Sequence, residues 1–326
     1  MPKHSRPRRG SLQYWPRKRA KRIYPRVGFV KKEKEAKPLA FAAWKAGMTH
    51  IEITDSKKGS RTFGRPISKP VTILDAPSLL VCGLRFYKKI PSGMAVAGET
   101  WAKVSKHLSR KVGNPKSIDD PRSSVREVKE PEKWDDVRLI VSTQPSKSGM
   151  KKKKPDVFEI EIGGEKEKKS GYAKSMLGKE INPEDVFATG EWLDVKAVTK
   201  GHGFTGPVKR FGIKIQTRKD QQHHRHAGSI GGVIPRKVDW RVPLPGQHGF
   251  HVRTEYCKRL MKIAKDGKIN PKGGFIGYGV VNNYMIIEGS VPGPGKRLVI
   301  LKKSTRPKAV VPVDIKYIST ESKQGV

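Results

Sequence analysis

Between residues 39 and 87 the chain alternates apolar and polar positions in short runs, at 39–45, 49–54, 70–74 and 79–87, separated by Gly, Pro, Asp and Ser. A period of two with turn residues between the runs predicts short strands arranged as a barrel or sandwich. Strand-like runs recur at 137–142, 157–162, 192–199, 276–281, 284–288 and 297–302. Two stretches follow the helical period instead. Within 101–111, Trp101, Val104 and Leu108 share one face and Gly113 can end the helix. Thr254 can cap a second helix that places Tyr256, Leu260, Ile263 and Ala264 together, with Lys262 and Lys265 suited to its C-terminal dipole before Gly267. The mixed region 88–190 reads as an α+β insertion into the barrel, and its charged runs 151–154 and 163–170 as exposed loops.

Two long segments carry no period. Residues 1–37 hold 14 Lys and Arg against Glu33 and Glu35, with Tyr14, Trp15 and Tyr24 among them, the pattern of an arm that orders on a polyanion. Residues 200–253 are rich in Gly, His and Arg and are too long for an ordinary connection inside a domain, so something outside must hold them. The organisation expected is a basic extension (1–37), a first β-barrel segment (38–87), the insertion (88–190), a barrel strand (191–199), a central penetrating loop (200–253), and a helix with the second β-barrel segment (254–326).

Charge identifies the partner class. With 69 Lys and Arg against 30 Asp and Glu, the 326 residues carry a formal charge of +39. Each cation laid on a phosphate releases a condensed counterion, so nucleic acid is the leading partner. No apolar run reaches the roughly 18 residues of a membrane span and no charged-then-apolar leader opens the chain, which favours a cytoplasmic protein. Cys82 and Cys257, far apart in sequence, provide neither a disulfide framework nor a cysteine-based zinc finger and are expected to be reduced.

The RNA-binding candidates follow from this reading. In the arm they are Lys3, His4, Arg6, Arg8, Arg9, Arg17, Lys18, Arg19, Lys21 and Arg22, with Trp15 as a stacking group. Early in the loop they are Lys200, His202, Lys209, Arg210, Lys214, Arg218 and Lys219, followed by His223, His224, Arg225 and His226. Beyond these come Arg236, Lys237, Arg241, Gln247, His248 and Arg253, with Trp240 as a second stacking group. Glycine lets the backbone approach RNA closely, while arginine, histidine and aromatic rings clamp phosphates or stack on bases.

Other chemistries fit less well. His223, His224 and His226 with Asp220 suggest a metal, but the adjacent pair cannot readily aim at one ion from regular structure, and no metal is expected. The Gly-rich runs 201–206 and 293–297 lack the spacing and the following Lys and Ser or Thr of a phosphate-binding loop. Asp and Glu gather in 119–191, including Asp119, Asp120, Asp135 and Asp136, among Lys, Pro and Gly rather than in an apolar setting that would tune an acid or base. An RNA-modifying enzyme and a nonspecific DNA-compacting protein are therefore both disfavoured.

The run FATGEWLDVKAVTKGHGFTGPVKR contains Phe187, Asp194, Ala197, Thr199, Gly201, His202, Gly203, Gly206 and Arg210 at the spacing of a known fingerprint. With AWKAGMTH at 43–50, GQHGFHVRTEY at 246–256, EGSVPGPGKR at 288–297 and the basic start PRRGSLQYWPRKRA, the chain resembles, over nearly its whole length, the universal large-subunit ribosomal protein three family in its archaeal form. The resemblance implies a mainly β protein: a Greek-key β-barrel similar to translation-factor barrels, with an α+β insertion, a basic N-terminal arm and a long central loop. It further implies 23S-type rRNA and neighbouring large-subunit proteins as partners, and a role in subunit assembly and in the architecture near the peptidyl transferase centre. No catalytic group, small-molecule substrate or cofactor beyond RNA-bound Mg2+ is implied. One departure is local: many relatives have Trp, one residue, then Pro at the loop tip, whereas this chain has Val233-Ile234-Pro235, with Trp240 seven positions after Val233.

Overall fold

The computed structural model describes residues 14–28, 33–102, 107–112, 131, 133–220, 223–234, 236–310 and 312–321. The chain forms two compact units. One is built from the N-terminal segment ending at Arg22 together with Val198–Arg253; the other from Ile23–Ala197 and Thr254–Val326.

The larger unit is mainly β. In chain order its strands begin with β1 (Ala40–Thr54), β2 (Pro66–Asp75), β3 (Leu79–Ile90), β4 (Gly93–Trp101), β5 (Asp136–Ser142) and β6 (Val157–Glu161), followed by the helix α1 (Lys166–Met176) and β7 (Glu180–Ile181). Then come β8 (Trp192–Val198) and, after the loop unit's β9 (Gly201–Thr205), α2 (Pro207–Phe211) and β10 (Gly246–Gly249), the strands β11 (Val252–Ala264), β12 (Tyr284–Glu288), β13 (Leu298–Lys303) and β14 (Ile315–Ile318). One sheet runs β13-β8-β11-β12-β2-β1-β14, and β13 also pairs with β1, so the pairings close on themselves. The runs 39–45 and 49–54 are two halves of one strand, bent by a bulge between Lys45 and Gly47. Gly47 is required there: a Cβ would lie 2.6 Å from a ring carbon of Phe275.

A second sheet runs β4-β3-β5-β6 with β7 added on β3, and it takes in the run 79–87, read in the sequence as part of the first β-barrel segment. Its buried residues, including Leu84, Phe86, Leu139 and Ile160, join Phe41, Trp44, Ile73 and Tyr284 of the first sheet in one core. Several of the described carboxylates in this region are ion-paired. Arg85 meets Glu99 at 2.6 Å, Arg138 meets Glu161 at 3.0 Å, and Lys169 of α1 meets Asp136 at 2.9 Å. Tyr24 and Val27, within the basic N-terminal stretch, are buried in the same core, and Tyr24 donates to the Val157 carbonyl at 3.0 Å.

Four expectations fail for physical reasons. Trp101 ends β4 rather than opening a helix, and among the described residues 107–112 lies a 3-10 turn, Leu108–Arg110; Val104 and Gly113 lie outside the described residues. The segment from Thr254 is strand β11: a shift of register between Leu260 and Lys262, where Arg259, Leu260 and Met261 are buried in succession, breaks the period of two and leaves spacing that reads as helical. The run 276–281 is not a strand; it is turn and bend around a single Phe275–Gly279 bridge. Part of the 163–170 run is helical, because α1 buries Ser170 and Ala173, residues too small to register as an apolar stripe. Cys82 is buried and Cys257 half-buried, both free thiols; burial pushes the Cys82 thiol up to about 12.

Asp194, fully buried on β8, organises one end of the sheet. Its carboxylate accepts from the Cys257 N–H (3.1 Å), the Ser304 hydroxyl (2.9 Å), the Thr305 N–H (3.0 Å) and the Thr305 hydroxyl (3.1 Å). Cys257 has a left-handed φ of 54°, which turns its N–H to the carboxylate. The fingerprint aspartate is thus a structural acceptor, satisfied as a buried charge must be.

Candidate nucleic-acid interface

The smaller unit has few buried apolar side chains among the described residues and is held by rings and guanidinium groups. Trp15 is half-buried, stacked on Phe211 (5.8 Å between centroids, 16° between planes) and set edgewise to Trp240 (5.7 Å, 73°). The guanidinium of Arg17 lies 4.4 Å from the Phe211 centroid and that of Arg210 lies 5.0 Å from it. Arg253 covers Tyr14 at 4.3 Å and Arg19 lies 5.5 Å from Phe250. Such cation–π contacts are worth about 0.5–2 kcal/mol each, depending on desolvation. Burial lowers the pKa of Arg17, Arg210 and Arg253, and Arg210 is lowered further by its neighbour Arg17.

A two-stranded ribbon forms the base of the loop. Thr205 pairs with Gly246, Phe204 with Gln247 and Gly203 with His248. The stem is closed by Thr199 N–H to the His251 carbonyl (2.9 Å) and Phe250 N–H to the Lys200 carbonyl (3.2 Å). Gly249, at φ +71°, passes so close to the Lys200 carbonyl that a Cβ would sit 2.0 Å from its oxygen. Gly212, at φ +65°, ends α2, and Arg210 on that helix donates from Nε to the Gln247 carbonyl (3.1 Å) and from Nη1 to the Leu244 carbonyl (2.8 Å). His251, buried, hydrogen-bonds through Nδ1 to the Lys18 carbonyl at 2.8 Å, and Ala20 N–H reaches the Phe250 carbonyl at 2.8 Å. The described stretch of the arm is therefore docked on the loop stem by backbone as well as by rings.

The predicted RNA-binding residues separate into two groups. Trp15, Arg17, Arg210, Gln247, His248 and Arg253 are half-buried and engaged within the unit; Gln247 donates to the Gly249 carbonyl at 3.0 Å. His248 lies 4.7 Å from the exposed His202 ring, and burial, then the charge of His202, lowers its pKa. Lys18, Arg19, Lys21, Arg22, Lys200, Lys209, Lys214, Arg218, Lys219, Arg225, Arg236, Lys237 and Arg241 are exposed. The unit's described carboxylates are Asp220 and Asp239, and neither is ion-paired with these cations among the described residues. Lys3, His4, Arg6, Arg8 and Arg9 lie outside the described residues.

The histidine cluster is spread along a turn. Nδ1 of His224 is 2.9 Å from the Thr217 carbonyl, Nδ1 of His226 contacts the His223 carbonyl, and the rings of His223 and His226 stand 6.3 Å apart. Among the described residues no three His, Cys, Asp or Glu side chains form a metal-sized group. Trp240 is half-exposed and carries Arg241 at 5.2 Å; Val233 and Ile234 at the tip are exposed, and Pro235 lies outside the described residues. Tyr14, noted in the sequence among the arm's charges, and Phe211 and Phe250 are the partners of the arginines, yet none is among the predicted RNA-binding residues. The signal available for them is only their position one to three residues from an Arg.

The chain matches the family model described as ribosomal protein L3 over residues 1–325. It is 46% identical to the large ribosomal subunit protein uL3 of Methanosphaera stadtmanae, over 100% of both chains. It is 46% identical to that of Methanocaldococcus jannaschii over 98% of both, and 45% identical to that of Methanopyrus kandleri over 98% of this chain and 92% of the relative. Fingerprint, stem and full-length likeness agree: the chain belongs to the ribosomal protein L3 family.

Proposed function

We propose that this protein is a structural constituent of the large ribosomal subunit in the cytoplasm, and not an enzyme. It binds 23S-type rRNA through the arm and central loop, supports assembly of the subunit and maintains its architecture near the peptidyl transferase centre. The closed sheet acts as the anchor, read as the Greek-key barrel of the resemblance, and neighbouring large-subunit proteins are further partners. No cofactor is needed beyond Mg2+ already bound to the RNA.

The observation that carries this reading is the division of cations in the smaller unit. Arg17, Arg210 and Arg253 are used internally to shape the unit, whereas Lys18, Lys21, Lys200, Lys209, Arg218 and Arg225 face outward. A shaped surface with unneutralised cations matches a folded polyanion better than a flexible one. Deleting 220–245 is expected to leave a folded sheet that binds rRNA weakly, with large subunits accumulating poorly on sucrose gradients. Normal subunit yield and peptide-bond formation from cells carrying only that deletion would refute the assignment of the loop.

A further inference from the structure

Six aromatic side chains are described in the arm and loop unit. Five of them, Tyr14, Trp15, Phe211, Trp240 and Phe250, have a ring or a guanidinium against them. Phe204 has neither among the described residues, and it is 78% exposed. It is nevertheless held firmly, since it sits within β9 opposite Gln247 and the ribbon is fixed at its far strand by Arg210 and at its stem by Lys200 and Phe250. A ring ordered by its backbone but left in water keeps its apolar surface for an external partner.

Gly206 points the same way. Its φ of −67° is one that any residue adopts, and a Cβ placed there would meet nothing within 4 Å. Neither backbone strain nor internal packing therefore calls for glycine at this position, two residues from Phe204. Space is left for something to approach the backbone from outside. The residues beside Phe204 along β9 and across the ribbon, His202, Thr205 and Gln247, are polar, and Lys200 and Lys209, four and five positions away in the chain, are exposed. An apolar pocket on another protein would be matched by an apolar rim, which is absent among these neighbours. A flat base with phosphates on either side suits an isolated ring on a segment that carries exposed lysines.

We propose that Phe204 stacks on an unpaired nucleobase of the rRNA, with Gly206 leaving room for the adjoining sugar-phosphate. This rests on the rRNA-binding reading above and adds to it a base contact where composition suggests only phosphate contacts. Because every base has a π-face, the contact selects an unstacked nucleotide rather than a sequence.

The test uses the full-length chain and deproteinised large-subunit rRNA. F204A is expected to weaken binding by roughly 5- to 100-fold, F204Y to stay within about 2-fold of the native chain, and both to keep the native slope of log K against log salt, because no cation is removed. G206V should weaken binding while leaving hydrogen exchange of the β9–β10 amides unchanged. Ultraviolet irradiation followed by digestion and mass spectrometry should locate a nucleotide adduct on Phe204. Native affinity of F204A, or an adduct confined to other residues, overturns the proposal; native rRNA affinity with failure to enter subunits would assign the ring to a protein neighbour instead. If the native chain itself shows no salt-dependent affinity for rRNA, the rRNA reading fails and takes this contact with it.

Discussion

Adjacent cations on α2 have opposite surroundings, and replacing each separately distinguishes shaping from binding. Lys209 is exposed. Arg210 is half-buried, donates to the carbonyls of Gln247 and Leu244 at 3.1 and 2.8 Å, and lies 5.0 Å from the Phe211 centroid. Hydrogen bonds from a charged group contribute about 1.5–3 kcal/mol each when buried. Discounting for partial exposure and adding a modest cation–π term leaves about 2–3 kcal/mol for Arg210 in total. R210A should therefore speed hydrogen exchange at the Gly246–Gly249 amides by roughly 30- to 150-fold, since about 1.4 kcal/mol is a factor of ten. R210K should recover little of this, because an ammonium cannot fork to two carbonyls while lying on a ring. K209A should leave exchange untouched and reduce the salt slope of rRNA binding by just under one, roughly 0.7–0.9. Native amide protection in R210A, with a slope reduced as in K209A, would show that Arg210 contacts phosphate and that its hydrogen bonds here are incidental.

Two further outcomes are expected. Replacing Asp194 with Ala leaves the Cys257, Ser304 and Thr305 donors buried without their acceptor and should lower the unfolding free energy in urea by about 4 kcal/mol, with D194N losing about half of that; a loss below about 1 kcal/mol would mean that water replaces the carboxylate. His251 is buried and its pKa lowered by that burial, so the folded unit prefers the neutral ring while the unfolded chain takes up a proton near pH 6.5. The arm's docking is therefore intact above about pH 6.5 and weakens as pH falls through that value, which protection of the Ala20 amide between pH 5 and 8 will report. Constant protection over that range would place the imidazole in water.

Strands of the seven-stranded sheet are legible in the sequence where buried apolar positions recur: Leu193, Val195 and Ala197 alternate on β8, and Val299 and Leu301 answer them on β13. β11 reads as a helix because its bulge at Met261 breaks that alternation, and β4 escapes notice because Gly93–Trp101 offers Met94 and Val96 to solvent and so lacks a buried period. In the smaller unit, charge picks out the two segments that the structure brings together, the N-terminal stretch and Val198–Arg253, but not the roles within them. Charge shows that Arg17, Lys18, Lys209 and Arg210 are cations; it does not show which of them faces a ring. That depends on Phe211 lying beside Trp15, nearly two hundred positions away in the chain.

The closed stem also bears on how such a loop can change over time. β8 and β11 are neighbouring strands, and Thr199 with His251 and Lys200 with Phe250 bring the two ends of a fifty-residue excursion within hydrogen-bonding distance. The ends stay together whatever the excursion contains, and doubling its length would cost only about 0.6 kcal/mol of closure entropy. The tip can thus gain, lose or exchange residues, Val233 and Ile234 included, as an appendage on a fixed hairpin, without the stem having to fold anew.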